Sequence, residues 1–147
     1  MADLDDVRDF LADEHGLAVV STTQADGRVL SSVVNCGVAT HPETGAETVA
    51  LVSRGGAARL AHVRRGSEVT VAAQRGWRWV AVTGPCDLIG PDDPAEGMDD
   101  ERLRMLLREV FQAAGGTHDD WDDYDRVMAE DRRCCMFVDP ARIIGQV

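Results

Sequence analysis

Val52-Ser53-Arg54-Gly55-Gly56-Ala57-Ala58-Arg59 decides how this chain is read. Val52 and Ser53 close an apolar, β-branched run that starts at Glu47, and the paired glycines stop it. From Gly56 to Arg65 the spacing turns helical, with Leu60 and Val63 on one side and Arg59, Arg64 and Arg65 on the other. A strand therefore hands over to a short helix through a glycine turn. A phosphate group needs backbone N–H donors, hydroxyls and fixed positive charge, and Ser53, Arg54, the helix start and Arg59 offer all three. An ordinary turn followed by a solvated helix face gives the same pattern. The residues alone leave both readings open.

Working outward, Asp3 to Glu14 predicts an amphipathic helix capped by Asp3, with Leu4, Val7, Phe10 and Leu11 as its stripe and Gly16 as its stop. Leu17 to Thr23 and Arg28 to Val38 read as strands joined through Ala25-Asp26-Gly27. His41 to Gly45 is a second turn before the strand Glu47 to Ser53. Beyond the short helix come strands over Glu68 to Gln74 and Trp77 to Ile89. Tight turns between successive strands imply antiparallel pairing. Gly90-Pro91-Asp92-Asp93-Pro94 breaks the sheet. Asp99 to Ala114 predicts a helix, and Thr117 with Asp120 a capping-box-like start for another, through about Asp131. Arg133 to Asp139 and Arg142 to Val147 return to strand around Pro140. The expected architecture is one α+β domain spanning residues 1–147, built on a small antiparallel barrel.

Charge narrows the function. The chain has 147 residues, 26 acids and 15 basic residues, all arginine, for a net charge of −11. Between Arg54 and Arg78, six arginines face one acid, Glu68, a net of +5 over 25 residues. A chain this acidic repels polyanions, which speaks against nucleic acid, while the island suits a small anionic ligand. No apolar run approaches membrane-spanning length, and Met1-Ala2-Asp3-Leu4-Asp5-Asp6 is unlike a secretory leader. The expected location is the cytoplasm.

Other chemistries find little support. Cys36, Cys86, Cys134 and Cys135 form no C-x-x-C pair, and neighbours on a strand point to opposite faces, so packing thiols are expected. His15, His41, His62 and His118 lack paired ligand spacing, and solvated imidazoles are the default, so no metal site is expected. The acidic run Asp119 to Asp125 fails the calcium-loop pattern and reads as a helix N-terminus. Trp77 and Trp79 are expected on one strand face, where they can wall a flat ring or pack a core or an interface. Trp121 and Tyr124 are expected to pack on the barrel.

Four runs in order carry a resemblance. They are Asp26-Gly27 with Ser32-Val33-Val34-Asn35; Val52-Ser53-Arg54-Gly55-Gly56 with Arg59-Leu60 and Val63-Arg64-Arg65; Trp77-Arg78-Trp79-Val80-Ala81-Val82-Thr83-Gly84; and Thr117-His118-Asp119-Asp120-Trp121 with Tyr124-Asp125-Arg126. The chain resembles the pyridoxamine 5'-phosphate oxidase-like split β-barrel superfamily, and within it the actinobacterial oxidoreductases that use the deazaflavin coenzyme F420.

That resemblance implies a split β-barrel with peripheral helices. It also implies a homodimer with two cofactor sites at the interface, and hydride transfer to a small electron-poor substrate. Quinones, nitro compounds, unsaturated lactones and tetrapyrroles are candidates for that substrate. By its implication, Ser32, Val33, Val34 and Asn35 meet the ring and ribityl chain, Val52, Ser53, Arg54 and Arg59 meet the phosphate, and Trp79 stands where the oxidases place a glutamine beside the ring. Ser32 replaces an arginine of the oxidases, and the C-terminal Trp and Arg pattern that recognises pyridoxine is absent. These departures favour F420 over FMN. F420 also has a longer anionic tail, for which Arg64, Arg65, Arg75 and Arg78 are available unless they pair with acids. An FMN-dependent oxidoreductase, a non-catalytic coenzyme carrier and a structural dimer with an empty site are the alternatives.

Overall fold

Two antiparallel sheets, crossing from one to the other at two corners, organise the computed structural model, which describes residues 1–147. The chain begins with α1 (Leu4–Asp13), β1 (Leu17–Thr23), β2 (Val29–Asn35), β3 (Gly37–Thr40) and β4 (Glu47–Ser53). It continues through α2 (Ala58–Arg64), β5 (Val69–Arg75), β6 (Arg78–Gly84) and β7 (Cys86–Ile89). It ends with α3 (Asp100–Ala113), α4 (Trp121–Glu130), β8 (Cys134–Val138) and β9 (Arg142–Gln146). One sheet has the order β2-β1-β5-β6-β9 and the other β3-β4-β8-β7. This is the α+β split barrel expected from the sequence.

The two longest expected strands each break in the middle. Arg28 to Val38 divides at Cys36, whose N–H donates to the Gly16 carbonyl at 2.7 Å, and the chain then changes sheets. Trp77 to Ile89 divides at Pro85, which has no N–H to continue a ladder. Continuous hydrophobic patterning hid both corners, because inward-facing residues on either side belong to the same core.

That core lies between the sheets. Val20, Val71, Val80 and Val82 from the first sheet meet Val49, Leu51, Met136 and Val138 from the second. Val7, Phe10 and Leu11 of α1 and Leu60 and Val63 of α2 close its ends. Each such side chain contributes about 1.5–3 kcal/mol by leaving water. A second cluster joins the back of the four-stranded sheet, through Ala50, Ile89, Cys135 and Phe137, to Leu106, Leu107 and Val110 of α3 and Tyr124 of α4. Adjacent Cys134 and Cys135 therefore serve different clusters, as strand alternation requires. All four cysteines are free thiols, and burial pushes Cys36 and Cys134 up to about 12.

Local signals place the helix ends. Asp3 and Asp6 form a reciprocal capping box at α1. Asp99 caps α3 by accepting from the Arg102 N–H. For α4 the cap is Asp120, accepting from Asp123, rather than Thr117. Asp122 and Asp123 fill its first turn, the account given above for the acidic run. No helix is long and apolar enough to cross a membrane.

While the four-stranded sheet is covered on both faces, the five-stranded sheet is open on one. The registers align Val33, Val19, Ala72, Ala81 and Ile144 in one row across all five strands. Val33 is 66% exposed, and Val19 and Ile144 are exposed beside it. Leu17 and Trp79 extend this apolar surface.

Candidate functional site

The β4–α2 connection puts an unusual cation between the two sheets. Arg59 does not face solvent with Arg64 and Arg65; it is half-buried. Its Nη1 donates to Ser53 Oγ at 3.0 Å and its Nη2 to Ser32 Oγ at 2.7 Å. The guanidinium thus ties the end of β4 to the edge strand β2 through two neutral hydroxyls. It forms no ion pair, although acids outnumber arginines 26 to 15 in this chain. Burial draws its pKa down. Hydrogen bonds to Asp93, Asp125 and Asp92 raise those of Arg64, Arg108 and Arg132. A half-buried cation satisfied only by hydroxyls retains its attraction for an anion.

A hollow of about 400 Å³ is lined by chain neighbours of the two serines. Val33, Val34 and Asn35, which follow Ser32 on β2, form one wall with Val52, which precedes Ser53 on β4. Phe111, Tyr124, Met128, Arg133 and the end of α3 form the other. Close backbone contact fixes that second wall: a Cβ on Gly37 would stand 1.9 Å from the Ala113 carbonyl oxygen, so only glycine lets α3 seat there. The Tyr124 hydroxyl donates to the Leu107 carbonyl at 3.0 Å and burial pushes its pKa up, so it is a wall rather than an acid. Asn35 Nδ2 donates to the His15 carbonyl at 2.9 Å, which leaves its Oδ1 facing no protein partner.

The expected site residues therefore fall into groups. Ser32, Ser53 and Arg59 make one polar cluster, and Val33, Val34, Asn35 and Val52 line the hollow. Arg54 is exposed, with its Nη2 3.9 Å from Asp131 Oδ1. Trp79 stands apart, in a larger hollow of about 640 Å³ on the open face of the five-stranded sheet, which it shares with Trp77, Leu17, Val19 and Val33. Val33 lines both hollows.

Several expectations need correction. Trp77 is not on the strand beside Trp79 but in the β5–β6 turn, 91% exposed, because Gly76 at φ +60° bends the chain there. The paired glycines were expected only to end the strand, yet they differ: the Gly55 N–H donates to the Asp131 carbonyl at 3.0 Å, and Gly55 packs against the end of α4. Gly56, at φ +80° with open space around it, is the glycine that leaves room. His62 is buried, with Nδ1 2.8 Å from Thr22 Oγ1, and is not a solvated imidazole. His41 is buried too; its Nδ1 accepts from the Glu43 and Thr44 N–H groups, so Nε2 carries the proton toward Asp87 Oδ2 at 3.0 Å. Arg64 forks onto Asp93 and Arg75 pairs with Glu14, so two of the four arginines offered for a longer anion are already neutralised.

Phe111, Met128 and Arg133 are lining residues that the sequence reading did not single out as such. Phe111 was legible only as part of a helix stripe, and nothing in the local pattern marks Arg133.

No family model matches the chain. Its fold is similar to that of a conserved hypothetical protein of Mycobacterium tuberculosis, with a TM-score of 0.69 at 15% identity, covering 99% of this chain and 84% of that one. A pyridoxamine 5'-phosphate oxidase-related, FMN-binding protein of Nostoc punctiforme gives a TM-score of 0.63 at 11% identity, over 99% of this chain and 84% of that one. The heme storage protein of Vibrio cholerae gives 0.56 at 11% identity, over 97% and 94%. At such identities the likeness is one of fold: a pyridoxamine 5'-phosphate oxidase-like split barrel.

Proposed function

We propose that this protein is a reductase dependent on coenzyme F420, acting on a small electron-poor organic substrate. The observation that carries the reading is Arg59, a half-buried cation without a carboxylate, held on two hydroxyls whose chain neighbours on β2 and β4 line a hollow walled by apolar side chains. These residues fit the coenzyme: Arg59, Ser53 and Ser32 would hold its phosphodiester, with exposed Arg54 nearby, while Val33, Val34, Asn35 and Val52 would face its ring. When bound, the coenzyme supplies the hydride. The chain's own residues bind, orient and keep water out. No acid or base is poised in the hollow, which suits chemistry carried by a cofactor.

A second copy would complete the site. The apolar row across the open sheet face reaches Val33, a residue of the hollow, so a subunit packed there would border the coenzyme. We assign the ring contact of Trp79 to the neighbouring subunit's coenzyme, since in its own subunit it lies on that open face. The four free thiols suit a reducing compartment such as the cytoplasm.

FMN is the second reading. The ion pairs of Arg64 and Arg75 leave fewer cations for a long tail, and the Nostoc punctiforme protein of this fold is FMN-binding. Fluorescence titration of the purified protein with both cofactors separates the two. We expect F420 to bind at least about tenfold tighter, a difference of about 1.4 kcal/mol. Tighter FMN binding would select the second reading, and binding of neither would overturn both. F420 binding without turnover of any acceptor would indicate a carrier.

A further inference from the structure

We propose that Arg133 makes this hollow selective for planar, mainly apolar molecules that carry one anionic oxygen. The inference rests on the coenzyme ring lying against the β2 and β4 wall of the hollow, and it names the class of substrate taken by the opposite wall, where Arg133 stands. Among the residues lining the hollow, Arg133 alone bears a charge. Phe111, Tyr124 and Met128 offer flat and adaptable apolar contact beside it.

The ion pair of Arg133 leaves the guanidinium underused. Its Nε and Nη2 both donate to one oxygen, Asp131 Oδ2, at 3.3 and 3.1 Å. Arg64, by contrast, grips both oxygens of Asp93 at 2.9 and 2.6 Å, and Arg108 and Arg132 make the same two-oxygen forks with Asp125 and Asp92. Nη1 of Arg133 has no protein partner. Asp131 is also shared, since its Oδ1 lies 3.9 Å from Arg54 Nη2. Two guanidinium groups around one carboxylate leave a positive charge over, in a chain whose net charge is −11. A ligand carboxylate or enolate in the hollow meets that surplus and a free N–H edge. A neutral ligand of the same shape meets only the apolar walls.

The test uses 2-naphthoate and its neutral amide, 2-naphthamide, titrated into the full chain without coenzyme and read by calorimetry. We expect the wild type to prefer naphthoate about tenfold or more, as a hydrogen bond to a charged group implies. Arg133→Met should bind both probes equally, and Arg133→Lys should regain part of the preference. Arg142→Ala, on exposed β9 and outside the hollow, should keep it. A preference that survives Arg133→Met, or that disappears in Arg142→Ala, overturns the inference, as does the failure of naphthoate to bind at millimolar concentration. Should neither F420 nor FMN bind while the naphthoate preference holds, the coenzyme reading fails and the anion selectivity of Arg133 stands.

Discussion

Replacing Arg59 with alanine is expected to weaken coenzyme binding by about 10–150-fold, the equivalent of roughly 1.5–3 kcal/mol for a lost hydrogen bond to a charged group. The size follows from how the guanidinium is held. Its present partners are the neutral hydroxyls of Ser32 and Ser53, so a phosphate replaces weaker contacts and meets no competing carboxylate. Half-burial screens the charge less than full exposure to water would. Arg59→Lys keeps the charge but loses the planar fork that spans two strands, and an intermediate loss is expected. The fold should survive, because Ser53 Oγ still has the Arg54 carbonyl as a partner. The thermal midpoint of the free protein, measured alongside, separates lost binding from lost folding. Unchanged affinity in Arg59→Ala would remove the residue from the site.

Phe137→Ala should be the most damaging single change to the fold, at about 3–5 kcal/mol. Phe137 is fully buried on β8, on the face that receives α3 and α4, and its ring lies 5.1 Å from that of His41. Truncation opens a cavity between strand ladders that cannot collapse around it. A domain of this size typically has 5–15 kcal/mol of stability, so the loss takes a large fraction. The midpoint should fall by on the order of 10 °C. The same helices form the far wall of the hollow, so coenzyme affinity should fall with it. A variant with unchanged melting would mean that the helices are held by other contacts.

Much of this architecture was legible in the sequence. The amphipathic stripes of α1 and α3, the strand β4 and the acidic start of α4 all rest on local periodicity and capping, which a sequence displays directly. The corners at Cys36 and Pro85 were hidden, because alternation continues through them while the chain changes sheets. At the candidate site, the spacing of Ser53 and Arg59 marked a cation near a turn, but not that Arg59 would point inward to Ser32 on a distant strand. That contact spans 27 positions and depends on how the sheets pack. Trp77 was misplaced because a two-residue turn and a continuing strand look alike around Gly76. Arg133 gave no local signal at all: only the meeting of α3, α4 and β2 makes it a wall of the hollow.

The account stands on Arg59 holding the anionic tail of a ring-bearing coenzyme. The most direct measurement is a binding cycle with F420 and its tail-less deazariboflavin, each titrated into the wild type and Arg59→Ala. The wild type should prefer the tailed coenzyme by at least about tenfold, and the substitution should cost the tailed form its advantage while leaving the tail-less form nearly unaffected. Equal losses for both ligands, or no loss for either, would contradict the account.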